Sequence, residues 1–176
     1  MHRPLLLDAC IAINLVATNH AEDIAESLGI RFLMVRQAVN ECGELDVVQD
    51  HVVVRRRSAP ADVPPLAKVL TLVESELDVY VELARDIDDG EAATIAVARS
   101  RSLAIATDDR KARRVAVEVG LATPTGTTAL LREYAEATGS TPQQLAALLR
   151  RVRDEASYVP RHTDENFTWW QQAICR

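Results

Sequence analysis

Short apolar runs alternate with longer stretches in which apolar residues recur every three or four positions, and this alternation continues to about residue 139. Leu5, Leu6 and Leu7 form an unbroken apolar run that stops at Asp8, the pattern of a strand buried on both faces. "ACIAINLVA" follows at helical spacing, and "HAEDIAESLG" predicts a second short helix closed by Gly29. Residues 31–35, "RFLMV", predict the second strand. Residues 36–45 predict a helix that turns Ala38, Cys42 and Leu45 towards the core. "VVVRRR" (52–57) reads as a strand and residues 58–65 as a proline-rich loop. Residues 65–76 read as a helix with Pro65 in its first turn. In "LDVYVEL" (77–83), Leu77, Val79, Val81 and Leu83 alternate with polar residues, which predicts a strand with one wetter face.

The second half repeats the rhythm. Residues 88–100 predict a helix apolar almost all round, hence packed between layers. "SLAIAT" predicts the fourth strand of the sheet, and "DDRKARRVAVEVG" a helix ended by Gly120. "LATPTG" predicts a last short strand, and "TTALLREYAEATG" a helix. Strands alternating with helices in this way specify an α/β fold with a mainly parallel sheet. Beyond Gly139 the rhythm changes. Thr141, Pro142 and Gln144 make the cap, first-turn proline and capping box of a helix, and a further helix is expected in residues 163–174. Four of the seven aromatic residues lie between Tyr158 and Trp170, so this tail must pack against something. The division expected is a domain at 1–139 and a helical extension at 140–176, packed on the domain or on a partner.

Composition narrows the function classes. No apolar run approaches the roughly 18 residues that a membrane span requires. The N-terminal segment lacks the longer apolar stretch of a signal peptide. Three irregularly spaced cysteines form neither a disulfide framework nor a zinc motif, so a reduced, cytoplasmic protein is expected. A net charge of −6 argues against bulk attraction to phosphate, although basic clusters stand at 55–57, 110–114 and 150–153.

The chemistry lies in where the acids fall. Parallel sheets of this kind bind ligands beyond the carboxyl ends of their strands. Asp8 directly follows the first strand, Glu41 lies in the helix after the second, Glu91 opens the helix after Asp88-Asp89-Gly90, and Asp108 and Asp109 end the fourth. Each has a structural alternative: Asp8, Asp108 or Asp109 as helix caps, Asp88 and Glu91 as a capping box, and Glu41 as a solvated edge residue. Together, carboxylates gathered at one edge repel each other, and a divalent cation relieves that repulsion. Oxygen ligands suit Mg²⁺ or Mn²⁺, which can activate water and stabilise charge developing on a phosphodiester. No serine-hydrolase elbow, zincin motif or phosphate-binding glycine loop competes.

"LLLDACIAINL", "VNEC", "DDGEAATIAVA" and "LAIATDDRKARRVA" resemble, in order and spacing, the four acidic segments of PIN-domain nucleases, most closely the prokaryotic branch of VapC-type toxins. The resemblance runs from about Pro4 to Ala137. It implies a parallel sheet in 3-2-1-4-5 order flanked by helices and metal-dependent cleavage of RNA. It also implies a homodimer and a small antitoxin protein lying over the acidic groove. Carried over position by position, Asp8, Glu41 and Glu91 match the first three acids. The family's T-x-D form selects Asp109 as the fourth, which leaves Asp108 as the better helix cap or a water-mediated neighbour. Asp8, Glu41, Glu91 and Asp109 are then the expected metal ligands. Thr107, Arg110, Lys111, Arg113 and Arg114 are candidate RNA contacts.

Asn14, two turns into the first helix, can face the acids or serve as a helix contact, and Cys10 and Cys42 read as small core residues because hard-cation sites do not recruit thiols. Two other functions fit less of the chain. An aspartate-nucleophile phosphatase wants a second Asp two positions after Asp8, where Cys10 stands. A non-catalytic RNA- or protein-binding module would keep the fold without needing acids in all four segments.

Overall fold

The leucine run sets the centre of the sheet. In the computed structural model, which describes residues 2–42, 45–49, 52–56 and 67–175, β1 (Arg3–Leu7) has parallel neighbours on both sides, β2 (Ile30–Val35) and β6 (Ala104–Ala106). Leu5, Leu6 and Leu7 are therefore wholly buried, which is why the run is unbroken rather than alternating. β5 (Lys68–Leu70) pairs in parallel with the other side of β2. A parallel bridge from Ala106 to Thr125 extends the opposite edge. With the antiparallel pair β3 (Leu45–Gln49) and β4 (Val52–Arg56) set apart, the parallel strands run 3-2-1-4, and Thr125 occupies the fifth position.

The helices are α1 (Ala9–Ala17), α2 (Ala21–Ser27), α3 (Arg36–Glu41), α4 (Glu74–Leu83), α5 (Asp89–Arg101), α6 (Arg110–Glu118), α7 (Thr127–Thr138), α8 (Pro142–Glu155) and α9 (Phe167–Ile174). α5 lies against β1, β2 and β6, with α3, α4 and α6 around it, and is buried continuously from Ala92 to Ala98. This explains its lack of a polar face. α1 packs with α7 and α8, and α9 packs on α8. Leu148, Leu149 and Val152 of α8 and Trp170 of α9 join the same apolar core as the leucines of β1. Among the described residues, no helix is long and apolar enough to cross a membrane.

Three local expectations are corrected. Residues 77–83, expected as a strand, belong to α4, and the strand of that region is β5, inside the stretch expected as helix. The alternation at 77–83 did not report burial: Leu77 is 43 % and Val81 53 % exposed. The helix starts because the Glu76 carboxylate accepts the Val73 N–H at 2.9 Å and is itself gripped by Arg101. The helix expected at 36–45 stops at Glu41, and Leu45 begins β3. The loop expected at 58–65 lies outside the described residues, as do Arg57 and the side chains of Arg55 and Arg56.

Candidate active site

The carboxyl ends of β1 and β6 lie side by side, and this adjacency builds the centre of the site. Asp8 leaves β1 and becomes the N-cap of α1, its Oδ1 accepting the Ala9 N–H at 2.8 Å. Its Oδ2 accepts the Thr107 hydroxyl from the end of β6 at 2.8 Å, and the Cys10 thiol at 3.3 Å. Asp8 is only 4 % exposed, so these donors fix its carboxylate in the wall of a cleft. The Cys10 thiol is pushed above its ordinary range by burial and by the Asp8 charge, which keeps it protonated and donating. That hydrogen bond gives Cys10 a part beside the site that its reading as a plain core residue lacked.

Asp109 is the N-cap of α6, with Oδ1 accepting the Lys111 and Ala112 N–H groups at 2.7 and 2.8 Å. The expectation that Asp108 caps this helix is thus corrected. α6 begins at Arg110, so the residue one step before it reaches the free amides. Asp108 turns instead to the start of α7: Thr127 donates its N–H at 3.0 Å and its hydroxyl at 2.6 Å, Asn14 donates at 3.3 Å, and the Tyr158 hydroxyl stands at 3.4 Å. Asp108 is a hub joining α1, α7 and the C-terminal segment. Burial holds its carboxyl above the usual carboxylate range, against the pull of the Thr127 donors.

Glu91 sits in the first turn of α5. Its alternative role in a capping box fails, because the Asp88 side chain makes no cap hydrogen bond. Burial, followed by the charges of Asp109 and Asp8, pushes the Glu91 carboxyl up from 4.5 to about 7. Glu41, the last residue of α3, accepts the Gly90 N–H at 2.7 Å. Its carboxyl is also raised, first by burial and then by the charges of Asp8, Asp88 and Asp89. Asp8 is the common neighbour of both glutamates. Among the described residues, no Lys or Arg forms an ion pair with Asp8, Glu41, Glu91 or Asp109.

A cleft of about 1000 Å³ opens over Asp8, Glu91, Asp108 and Asp109; Glu41 stands outside its lining. Arg110 and Arg113 of α6 line it, as do residues of the C-terminal segment between Ser157 and Glu165. Sequence reasoning missed this wall segment; the aromatic cluster was its only trace. Tyr158 packs edge-on against Trp170, with ring centroids 5.6 Å apart, which ties the wall to α9. Asp164 accepts the Thr128 hydroxyl at 2.8 Å, which ties it to α7.

The candidate RNA contacts separate into two groups. Arg110 and Arg113 face the cleft, and Arg113 also donates to the Thr107 carbonyl at 3.0 Å. Lys111 is bonded to the Asp86 carbonyl, and Arg114 pairs with Glu118 on the surface. Thr107 is 2 % exposed with its hydroxyl committed to Asp8, so it positions an acid and offers RNA no surface.

The donors suit a hard divalent cation in kind: they are carboxylate oxygens without a Lys or Arg partner among the described residues, and burial, followed by the charges of their acidic neighbours, raises two of them. Their placement is looser than a closed protein cage. Among the described residues, no three His, Cys, Asp or Glu side chains are arranged to hold one ion.

Comparisons with curated proteins and with solved structures gave no match. The family model of DUF3368, described as a PIN domain, matches residues 46–168, well over half of the chain. That span holds Glu91, Asp108, Asp109 and the wall at 157–165, and it begins beyond Asp8 and Glu41. PIN domains are a fold of nuclease type, and a parallel sheet with acids at its strand ends is the architecture found here. The chain belongs to the DUF3368 family of PIN domains.

Proposed function

We propose that the protein is a metal-dependent endoribonuclease that hydrolyses RNA phosphodiester bonds, the toxin of a type II toxin–antitoxin pair. The observation that carries this reading is that Asp8, Glu91 and Asp109 line one cleft without a Lys or Arg partner among the described residues, with Glu91 driven up to about 7 by burial and by its acidic neighbours. Asp8, Glu41, Glu91 and Asp109 are the residues to hold one or two Mg²⁺ or Mn²⁺ ions, directly or through water. A bound ion of this kind supplies activation of water and stabilisation of charge at the phosphorus. Thr107 and Cys10 orient Asp8, and the Lys111 and Ala112 amides orient Asp109. Arg110 and Arg113, which line the cleft, are the residues to hold the RNA backbone. Residues 140–176 are read as a helical extension that contributes part of the cleft lining through residues between Ser157 and Glu165.

The toxin assignment, the antitoxin partner and the homodimer rest on the resemblance of the four acidic segments to VapC-type toxins. The exposed apolar side chains Val73, Leu77 and Val81 of the α4 region are consistent with a second copy. Three free cysteines suit a reducing cytoplasm. The competing reading is a non-catalytic RNA- or protein-binding module, favoured by the lack of three donors arranged around one point among the described residues.

Cleavage mapping on total RNA separates the two. The wild-type protein with Mn²⁺ should cut, EDTA should stop it, and Asp8→Asn should lose activity by on the order of 10²–10³-fold with its fold retained. Asp8→Asn cutting as fast as wild type, with contaminating nucleases excluded, removes the mechanism.

A further inference from the structure

We infer that Gly90 is the positioning residue that seats the Glu41 carboxylate, and that any side chain at position 90 displaces this acid without breaking the fold. The inference deepens the nuclease reading, since it specifies what keeps the second acid at the edge of the sheet.

Glu41 comes from α3 and Gly90 from the start of α5, 49 residues apart in sequence. Gly90 is the second residue of α5, and N–H groups in the first turn of a helix have no partner within it. The Gly90 N–H finds one in Glu41 Oε1 at 2.7 Å. The carboxylate therefore caps a helix it does not belong to, on the end where the helix dipole favours negative charge. This approach is open only because position 90 has no side chain. A Cβ there would lie 2.6 Å from Glu41 Cδ and 2.7 Å from Oε1, well inside van der Waals contact, and nearer still to Oε2.

Which partner yields decides the outcome. The three nearest atoms that the Cβ would meet all belong to the free end of one flexible glutamate side chain. Gly90 also has no positive φ that would penalise alanine, and alanine is the better helix former. The strain is then relieved by rotation of Glu41 away from α5, and away from Asp8, whose charge it senses in place. The helix survives while the acid leaves. The Gly-Glu pair thus joins two tasks in adjacent residues: Glu91 supplies one carboxylate, and Gly90 admits another.

The test compares wild type, Glu41→Gln, Gly90→Ala, Glu41→Asp and the double variant Gly90→Ala with Glu41→Asp, all as full chains. Amide hydrogen exchange of the metal-free protein reads the seat whether or not RNA is cut. The amide at position 90 should be protected in wild type and exchange freely in Gly90→Ala, while the amides further along α5 keep their protection. A position-90 amide that stays as protected in Gly90→Ala as in wild type overturns the inference. Mn²⁺-dependent RNA cleavage provides the second readout. Gly90→Ala should fall by about 10–100-fold, as expected for losing a group that orients a ligand, and should match Glu41→Gln. The double variant should recover part of that loss, because aspartate is one methylene shorter and leaves room for the Cβ. A double variant no more active than Gly90→Ala overturns the steric account. A wild-type protein that neither binds Mn²⁺ nor cuts RNA refutes the nuclease reading instead, and the exchange result still decides whether Gly90 seats Glu41.

Discussion

The two ends of α5 hold carboxylates in opposite conditions. At the C-terminal end, Arg101 donates from Nε and Nη2 to both oxygens of Glu76, at 2.7 and 2.8 Å, with the Glu76 side chain fully buried. That bidentate grip holds the Glu76 carboxyl below its ordinary value. At the N-terminal end, no Lys or Arg pairs with Glu91 among the described residues, and burial, followed by the charges of Asp109 and Asp8, raises its carboxyl to about 7. The same residue type is neutralised by an arginine at one end and, among the described residues, has no cationic side chain paired with it at the other. Burial with a partner ties α4 to α5 and serves stability. Burial without one costs stability, and a chain retains it where a ligand supplies the missing charge.

Substitutions should break this contrast in opposite directions. The largest effect is expected on catalysis: Glu91→Gln should lower Mn²⁺-dependent RNA cleavage by on the order of 10²–10³-fold, measured under single-turnover conditions. Arg101→Ala should leave cleavage per folded molecule unchanged and destabilise the protein, because it strands the buried Glu76 charge. The expected loss is about 3 kcal/mol, the low end for breaking a buried pair, since the Arg101 side chain retains 31 % exposure. Urea unfolding measures it. Smaller and opposite in sign, Glu91→Gln should raise the melting temperature of the metal-free protein at pH 8, since it removes a charge that its neighbours repel.

The pH dependence carries the same opposition. Glu76 is depressed, so its contribution is complete above the ordinary carboxylate range and is lost as pH falls through its lowered value. Glu91 is raised, so the metal-free native state holds its proton while the unfolded chain releases it. Stability from this group is therefore present below 4.5 and lost as pH rises towards about 7. Melting curves of metal-free wild type should show this decline between those limits, and Glu91→Gln should flatten it.

The sequence resolves these features unevenly, for physical reasons. The buried leucines of β1, the cap of α8 and the position of Asp8 are legible because each is a local pattern: an apolar run, a Thr-Pro-x-Gln start, an acid at a strand end. What failed to show depended on partners far along the chain. α4 was misread because its start depends on Glu76, and Glu76 on Arg101, 25 residues later. Asp108 does not cap α6 because Thr127, 19 residues beyond it, draws its carboxylate away from that helix. The fit of Glu41 against Gly90 spans 49 residues. The wall at 157–165 left no motif, only an aromatic cluster whose Tyr158 stands beside Asp108.

The central claim is that the unpaired end of α5 is a cation site. Calorimetric titration of the metal-free protein with Mn²⁺ at pH 6 and pH 8 tests it most directly. Binding should tighten with pH as Glu91 gives up its proton near 7, release protons at the lower pH, and be lost in Glu91→Gln. A wild-type protein that takes up no Mn²⁺ at either pH, or a Glu91→Gln variant that binds it as tightly as wild type, contradicts the account.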